Sequence, residues 1–454
     1  MKTTDDKPSF VGPMKNFTRN LSGLHEFLTL IQAFLDKEAK DWTHNNLTDL
    51  IPIQFALAEL VPNPEEVLPV DDKESLKGRF GAEFTVEKIE DGGVRISIEG
   101  DAGKRVGDAI KGLSLNSRHK KLLYRNCLIS LISSAEWFLS QVLRRFFEAH
   151  PDAASVKEKT LTLADLQRIG SVSEAEAYLI TLRIDEIMWG GLDDWLRFLK
   201  ATVKLSMGYL GSEEAELTEV FQRRNVMVHN DGKVHHSYFA KVAEGLRAGI
   251  KEGEELEVTP EYLSRAIDVV ETNFLLIAAE LWKKLHAKDE SRASILNDIT
   301  IDALFNKRYS LALGTSRFQM EDRQLSEKWI LYAKLNHWQS HKWAGTFAQV
   351  EDDVKKVDFT AKGDLLQLAR FVLLDDFAQA LELLEPTLRA GKLTLDDLES
   401  WPIFQNFRMN ETVKGVIAKE RAKASATVQI TGEDIKEVAN SNELLLSLPK
   451  ELIN

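Results

Sequence analysis

Arg224, Asn225 and His229 are the side chains of this sequence best suited to chemistry. They lie in the stretch Gln222-Arg223-Arg224-Asn225-Val226-Met227-Val228-His229-Asn230-Asp231-Gly232. An imidazole titrates near neutrality and can give or take a proton. A guanidinium stays charged and can hold two oxygens of an anion with one planar fork. The spacing of Leu217, Val220, Phe221, Met227 and Val228 predicts a helix with those residues inward, and Arg224 falls on the same stripe. A permanent charge on an apolar seam is costly unless it meets an anion or a satisfied polar partner. Asn225 and His229, four apart, are neighbours on such a helix. Arg224 and His229 are about 140° apart. One helix face therefore presents both to a small ligand only if the helix loosens near His229 or a second copy supplies one of them. Asn230-Asp231-Gly232 has the residues of a helix stop.

This arrangement resembles the catalytic motif of the HEPN superfamily (higher eukaryotes and prokaryotes nucleotide-binding domains): an Arg, a polar residue, a short spacer and a His. Arg224, Asn225 and His229 occupy the three positions, the Arg is doubled by Arg223, and Asn-Asp-Gly follows. The resemblance implies a metal-independent endoribonuclease that works as a homodimer, with two motifs facing each other across the RNA substrate. It also implies a toxin or anti-phage effector. Such cleavage needs a base for the ribose 2′-hydroxyl, an acid for the departing 5′-oxygen, and positive charge at the phosphorane. His229 is then the base or acid, Arg224 the phosphate clamp and Asn225 the orienter of ribose or phosphate. Arg223, His235 and His236 are candidate substrate-binding residues, and Glu136 is a structural support for Arg224. The alternative is that Arg224 simply pairs with a carboxylate such as Glu136 and His229 caps the helix C-terminus, where a cation is favoured.

The elements that must position these residues are mostly helical. The sequence has 454 residues, enough for two to three domains. No apolar run is long enough to span a membrane. The first residues, Met1-Lys2-Thr3-Thr4-Asp5-Asp6-Lys7, have no signal-peptide core, and one cysteine, Cys127, excludes an internal disulfide. A cytoplasmic protein is expected. The net charge of −13 works against broad adhesion to nucleic acid but leaves room for a local basic groove. Two patches qualify, Arg118-His119-Lys120-Lys121 and Arg144-Arg145, with solvated helix surface as the plainer reading. No phosphate-binding glycine loop, zinc-protease motif or serine-hydrolase elbow is present. The acidic groups Asp193-Asp194 and Glu351-Asp352-Asp353 read as solvated faces, so no metal and no cofactor is expected.

In chain order, residues 1–20, with Pro8 and Pro13, read as a loose tail and 21–34 as a helix. A helix pair over 41–60 is broken by Pro52. Alternation over 80–86 and 94–98, around Glu90-Asp91-Gly92-Gly93, predicts a β-hairpin within 80–99. A long helix over 117–147 places Tyr124, Leu128, Leu131, Ala135, Phe138 and Val142 inward. Helices over 161–196 are interrupted at Gly190-Gly191. Thr259-Pro260 opens a helix reaching about His286. Large-on-small pairing over 363–388, closed by Pro386, resembles a tetratricopeptide-type helical hairpin. The expectation is a mainly α protein in three parts. These are an N-terminal helical region with the hairpin (1–114), a HEPN-like helical bundle (115–288) and a helical-repeat-like C-terminal region (289–454). The C-terminal helices could hold a regulatory protein partner. Residues 421–454 have no assignment. Rival readings of the bundle are a non-catalytic interaction protein and a nucleotide-binding sensor.

Overall fold

The computed structural model describes residues 9–89, 92–154, 160–211 and 213–423. Helix accounts for 75% of the chain and strand for 3%, so the core is made by helix packing. No described helix is long and apolar enough to cross a membrane. The chain divides into two compact units, with the division between Ala344 and Gly345.

In the first unit an N-terminal helix, Val11–Asn45, opens the core rather than trailing from it. Phe10, Met14, Phe17 and Leu21 share a stripe and are all fully buried or nearly so. Phe17 stacks on Phe138 with ring centroids 4.2 Å apart, and Phe10 lies 5.7 Å from Trp282. The expected loose tail is therefore corrected from Phe10 onward. Pro13 misled because it sits in the first helical turn, where amide protons have no intrahelical acceptor and a proline is tolerated. Pro52 behaves likewise, starting the helix Ile51–Leu60 rather than breaking one. Phe17→Ala should cost about 3–5 kcal/mol of stability, read from urea unfolding; an unchanged midpoint would return residues 9–20 to the status of a tail.

The hairpin pairs Phe84–Lys88 with Val94–Ile98, antiparallel, in the register Phe84↔Ile98 and Val86↔Ile96. Phe80, expected in the strand, ends the helix Lys73–Phe80, which Gly81 closes at φ +73°. Glu90 and Asp91 of the expected turn lie outside the described residues. Two strands alone are marginal in water. Here Phe84 meets Phe55 and Phe80 edge-on, in a small core with Ile51, Ala102 and Val106.

A single helix, Ala102–Ala149, runs for about 72 Å at 1.5 Å per residue. Its buried side chains include all six expected from the spacing, Tyr124 to Val142. The expected boundary at 114/115 falls inside it. A Cβ at Gly112 would stand 2.6 Å from the Trp42 ring, so a larger residue there would push that ring aside. The most enclosed element is the central helix Pro260–Leu285, started by Thr259, whose hydroxyl accepts from the Tyr262 amide at 3.1 Å.

The helices Ser291–Phe305, Tyr309–Glu321 and Glu327–Trp343 also belong to the first unit, so its boundary lies well beyond residue 288. Buried charge ties them to the central helix. Arg308 is 2.7 Å from both Asp268 and the fully buried Glu271, and Asp322 meets Lys283 and Arg292 at 2.9 Å. Burial pushes the Glu271 carboxyl up to about 7, against the pull of Arg308. In the second unit Asp364–Leu373 and Phe377–Arg389 form a helical hairpin with Ala369, Ala380 and Leu384 inward. Pro386 lies inside its second helix and does not close it. Of the unassigned 421–454, residues 424–454 lie outside the described residues.

Candidate functional site

The motif helix, Glu213–His229, starts with Glu213, Glu214 and Glu216 where the helix dipole favours negative charge. It buries Leu217, Val220, Phe221, Val226 and Met227, with Phe221 stacked on Phe274 at 6.0 Å. Val228, expected inward, is 43% exposed. It stands one turn beyond Arg224 on the flank that faces solvent. That flank, and not the apolar seam, carries the motif arginine.

Arg224 is held between protein and water, with 19% of its side chain exposed. Its Nη2 is 3.3 Å from Glu136 Oε1 on the long helix, and its Nη1 donates to Asn225 Oδ1 at 3.3 Å. The Nε donor is buried without an acceptor among the described residues. An orphaned buried donor costs about 1–3 kcal/mol, so the fork is not fully satisfied by its own chain. Arg224, Asn225 and Glu136 thus form one cluster.

His229 stands apart from that cluster. Its side chain is exposed and makes no hydrogen bond or ion pair among the described residues. The helix remains regular through His229, so the angular gap of about 140° from Arg224 persists. The loosening that would bring them together within one chain is absent. The helix ends beyond it: Asn230 and Gly232 both donate to the Val226 carbonyl, at 3.0 and 3.1 Å, and Asp231 and Gly232 take φ of +51° and +84°.

A residue that pattern reading missed secures this terminus. Arg125 of the long helix donates to the Met227 carbonyl and, at 2.8 Å, to the Asp231 carboxylate. Its hydrogen bond and charge hold the Asp231 carboxyl below the usual range. The cation at this helix end is Arg125, which leaves the His229 imidazole unengaged. The i, i+3, i+7 spacing of Arg118, Lys121 and Arg125 was the available signal, since it puts all three on one face.

Arg223 is engaged by its own chain. Its Nε donates to Glu219 at 2.7 Å, its Nη1 donates to the Glu257 carbonyl at 2.6 Å, and its guanidinium lies 4.2 Å from the Tyr262 ring centroid. Glu219 in turn accepts from the hydroxyls of Tyr238 and Tyr262 at 2.7 and 2.6 Å. Burial, with the Glu219 charge beside them, raises the pKa of both tyrosines. These groups answer one another, and Arg223 has little left for a substrate.

His235 and His236 are exposed beyond the turn. His235 Nδ1 accepts from the Ser237 amide at 3.5 Å, and the His236 amide donates to Glu252 at 3.1 Å. No described hydrogen bond or ion pair joins either to the Arg224 cluster. In the basic patches Lys120 meets Asp36 at 3.0 Å and Lys121 meets Glu257 at 3.2 Å. Arg144 donates to Thr181, and Arg145 meets Glu148 at 3.0 Å. Among the described residues no group of three or more His, Cys, Asp or Glu side chains is placed to hold a metal ion. The chain matches no protein-family model, no curated protein and no solved structure.

Proposed function

We propose that the chain is a metal-independent, HEPN-type endoribonuclease that cuts RNA as a homodimer, in the role of a toxin or anti-phage effector. The observation that carries this reading is the Arg224 cluster: a mostly buried arginine with one edge toward solvent, oriented by Glu136 and Asn225, on the helix that ends in an unengaged His229. Arg224 is close enough to solvent to meet a phosphate and sheltered enough for the interaction to be strong.

In the reaction His229 removes the 2′-hydroxyl proton as that oxygen bonds to phosphorus. The bond from phosphorus to the 5′-oxygen breaks, and the His229 imidazolium formed in the first transfer returns its proton to the leaving oxygen. Arg224 neutralises the phosphorane, and Asn225 orients the ribose or phosphate. The products carry a 2′,3′-cyclic phosphate and a free 5′-hydroxyl. Because a regular helix separates Arg224 and His229, each site is made from the arginine of one chain and the histidine of its partner. Exposed Trp137, adjacent to Glu136, and Val228, one turn from Arg224, supply apolar surface around the site for such pairing.

The Arg224–Glu136 ion pair also suits a second reading, a non-catalytic interaction protein in which that charge is merely neutralised. Its partner would dock on the bundle or on the C-terminal helices. Incubation with total RNA in EDTA separates the two. The nuclease reading expects cleavage by the wild type with 2′,3′-cyclic phosphate ends and intact RNA with His229→Ala. Intact RNA in both samples would leave the interaction protein.

A further inference from the structure

One groove of the first unit, about 440 Å³ in volume, lies between the long helix and the segment that follows the motif. Met227, Asp231 and Gly232 line it, so it adjoins the end of the motif helix that carries His229. Four cations of the long helix line it: Arg118, Lys121 and Arg125 on one stripe about 10 Å long, and Lys120 beside them, which pairs with Asp36. Lys233 faces it from the opposite wall. On a chain of net charge −13 this is a local reversal of sign.

The cations are only partly answered by the protein. Arg118 and Lys233 have no side-chain partner among the described residues. Lys121 lies 3.2 Å from Glu257 and 3.9 Å from Glu255, and Arg125 holds Asp231. These three carboxylates line the same groove, with side chains 64%, 59% and 88% exposed. Exposed ion pairs contribute little to stability, so the acids can swing aside at small cost. They occupy the cations where phosphate oxygens could. The one aromatic of the groove, Tyr124, is buried, so no ring is offered for a base to stack on.

We propose that this groove binds the sugar-phosphate backbone of single-stranded RNA, without base preference, and guides the strand past the end of the motif helix. The acids form a rim that the strand must displace, which keeps weakly charged anions out. The proposal rests on the ribonuclease reading for its purpose, but its test reads binding and not cleavage.

The test uses the full-length His229→Ala protein, which leaves the strand intact, and a fluorescein-labelled twelve-nucleotide single-stranded RNA, with binding followed by anisotropy. Lys121→Glu with Lys233→Glu should weaken binding by about tenfold or more, and Glu255→Gln with Glu257→Gln should tighten it about threefold. With roughly three phosphates engaged, the slope of log affinity against log salt should be about −2. The gain on removing the acids guards against a trivial loss through misfolding. Equal affinity in both double variants and the parent overturns the proposal. So does full displacement of the strand by an equimolar free mononucleotide, which would mark a nucleotide pocket instead. Binding that responds as expected, in a protein whose wild type cuts no RNA, keeps the groove and removes the nuclease. RNA cleavage and binding both unaffected by the groove variants keep the nuclease and remove the groove.

Discussion

Alanine at either Arg224 or His229 is expected to lower the rate of RNA cleavage by about 10²- to 10⁴-fold, and alanine at both to cost little more than the worse single change. On the proposed mechanism the two groups act on one phosphodiester in one step. Without the proton transfer, extra charge on phosphorus develops less, and the guanidinium has less to stabilise. Such groups give strongly non-additive losses. Single-turnover rates on one defined RNA, for the two single variants and the double, check this. Two losses that multiply would place the residues in separate steps or separate sites. Glu136→Gln is a gentler probe of the same cluster. It keeps the shape but removes the carboxylate that lies 3.3 Å from Arg224, so it should raise KM or lower kcat by less than Arg224→Ala does.

Glu219→Ala should have the largest effect on stability among the changes near the motif, about 3–5 kcal/mol. Only 7% of the Glu219 side chain is exposed, and the partnered Arg223 is 12% exposed. Removing the carboxylate leaves a buried guanidinium without its counter-charge and two buried tyrosine hydroxyls without their acceptor. Each of these is expensive by itself. Tyr238→Phe or Tyr262→Phe removes a single bond and should cost about 1–2 kcal/mol. Urea unfolding of the three variants gives the comparison. An unfolding midpoint for Glu219→Ala equal to that of the parent would mean that Arg223 is free for another role, such as phosphate contact.

What could be read from the sequence is what local chemistry dictates. Thr259-Pro260 announces a helix start because the cap bond and the proline act within three residues. The inward stripe from Tyr124 to Val142 follows from helical periodicity alone. Alternating residues place the hairpin, though Phe80 shares its pattern and is helical, because Gly81 redirects the chain after it. Prolines were the main source of error. Pro13 suggests a loose tail and Pro52 a break, yet a proline in a first turn is compatible with the helix that follows. Pro386 suggests a terminus and sits inside a helix.

The remainder depended on partners far apart in the chain. Glu136, which the sequence offers as a support for Arg224, does meet it, from 88 residues away; Arg308 reaches Asp268 across 40 residues, and Asp322 reaches Lys283 across 39 (322 minus 283). No spacing rule announces such pairs, so the sequence assigns the helices after residue 288 to a C-terminal region, whereas those up to Trp343 belong to the first unit. Within the motif, Glu219 and Arg223 are four apart and could have been read as an ion pair. Their tyrosine partners, 19 and 43 residues beyond Glu219, could not. The three motif residues were legible by type, and the structure adds that one chain does not bring Arg224 and His229 together.

That separation makes the central claim testable by mixing two inactive proteins. Arg224→Ala and His229→Ala chains, co-refolded in equal amounts, should recover about a quarter of wild-type cleavage. Random pairing makes half of the dimers mixed, and each mixed dimer carries one intact composite site. Recovery to that level, absent from either variant alone, is the predicted result. A mixture as inert as its parents, under conditions in which the wild type cuts and subunits demonstrably exchange, would contradict the composite site.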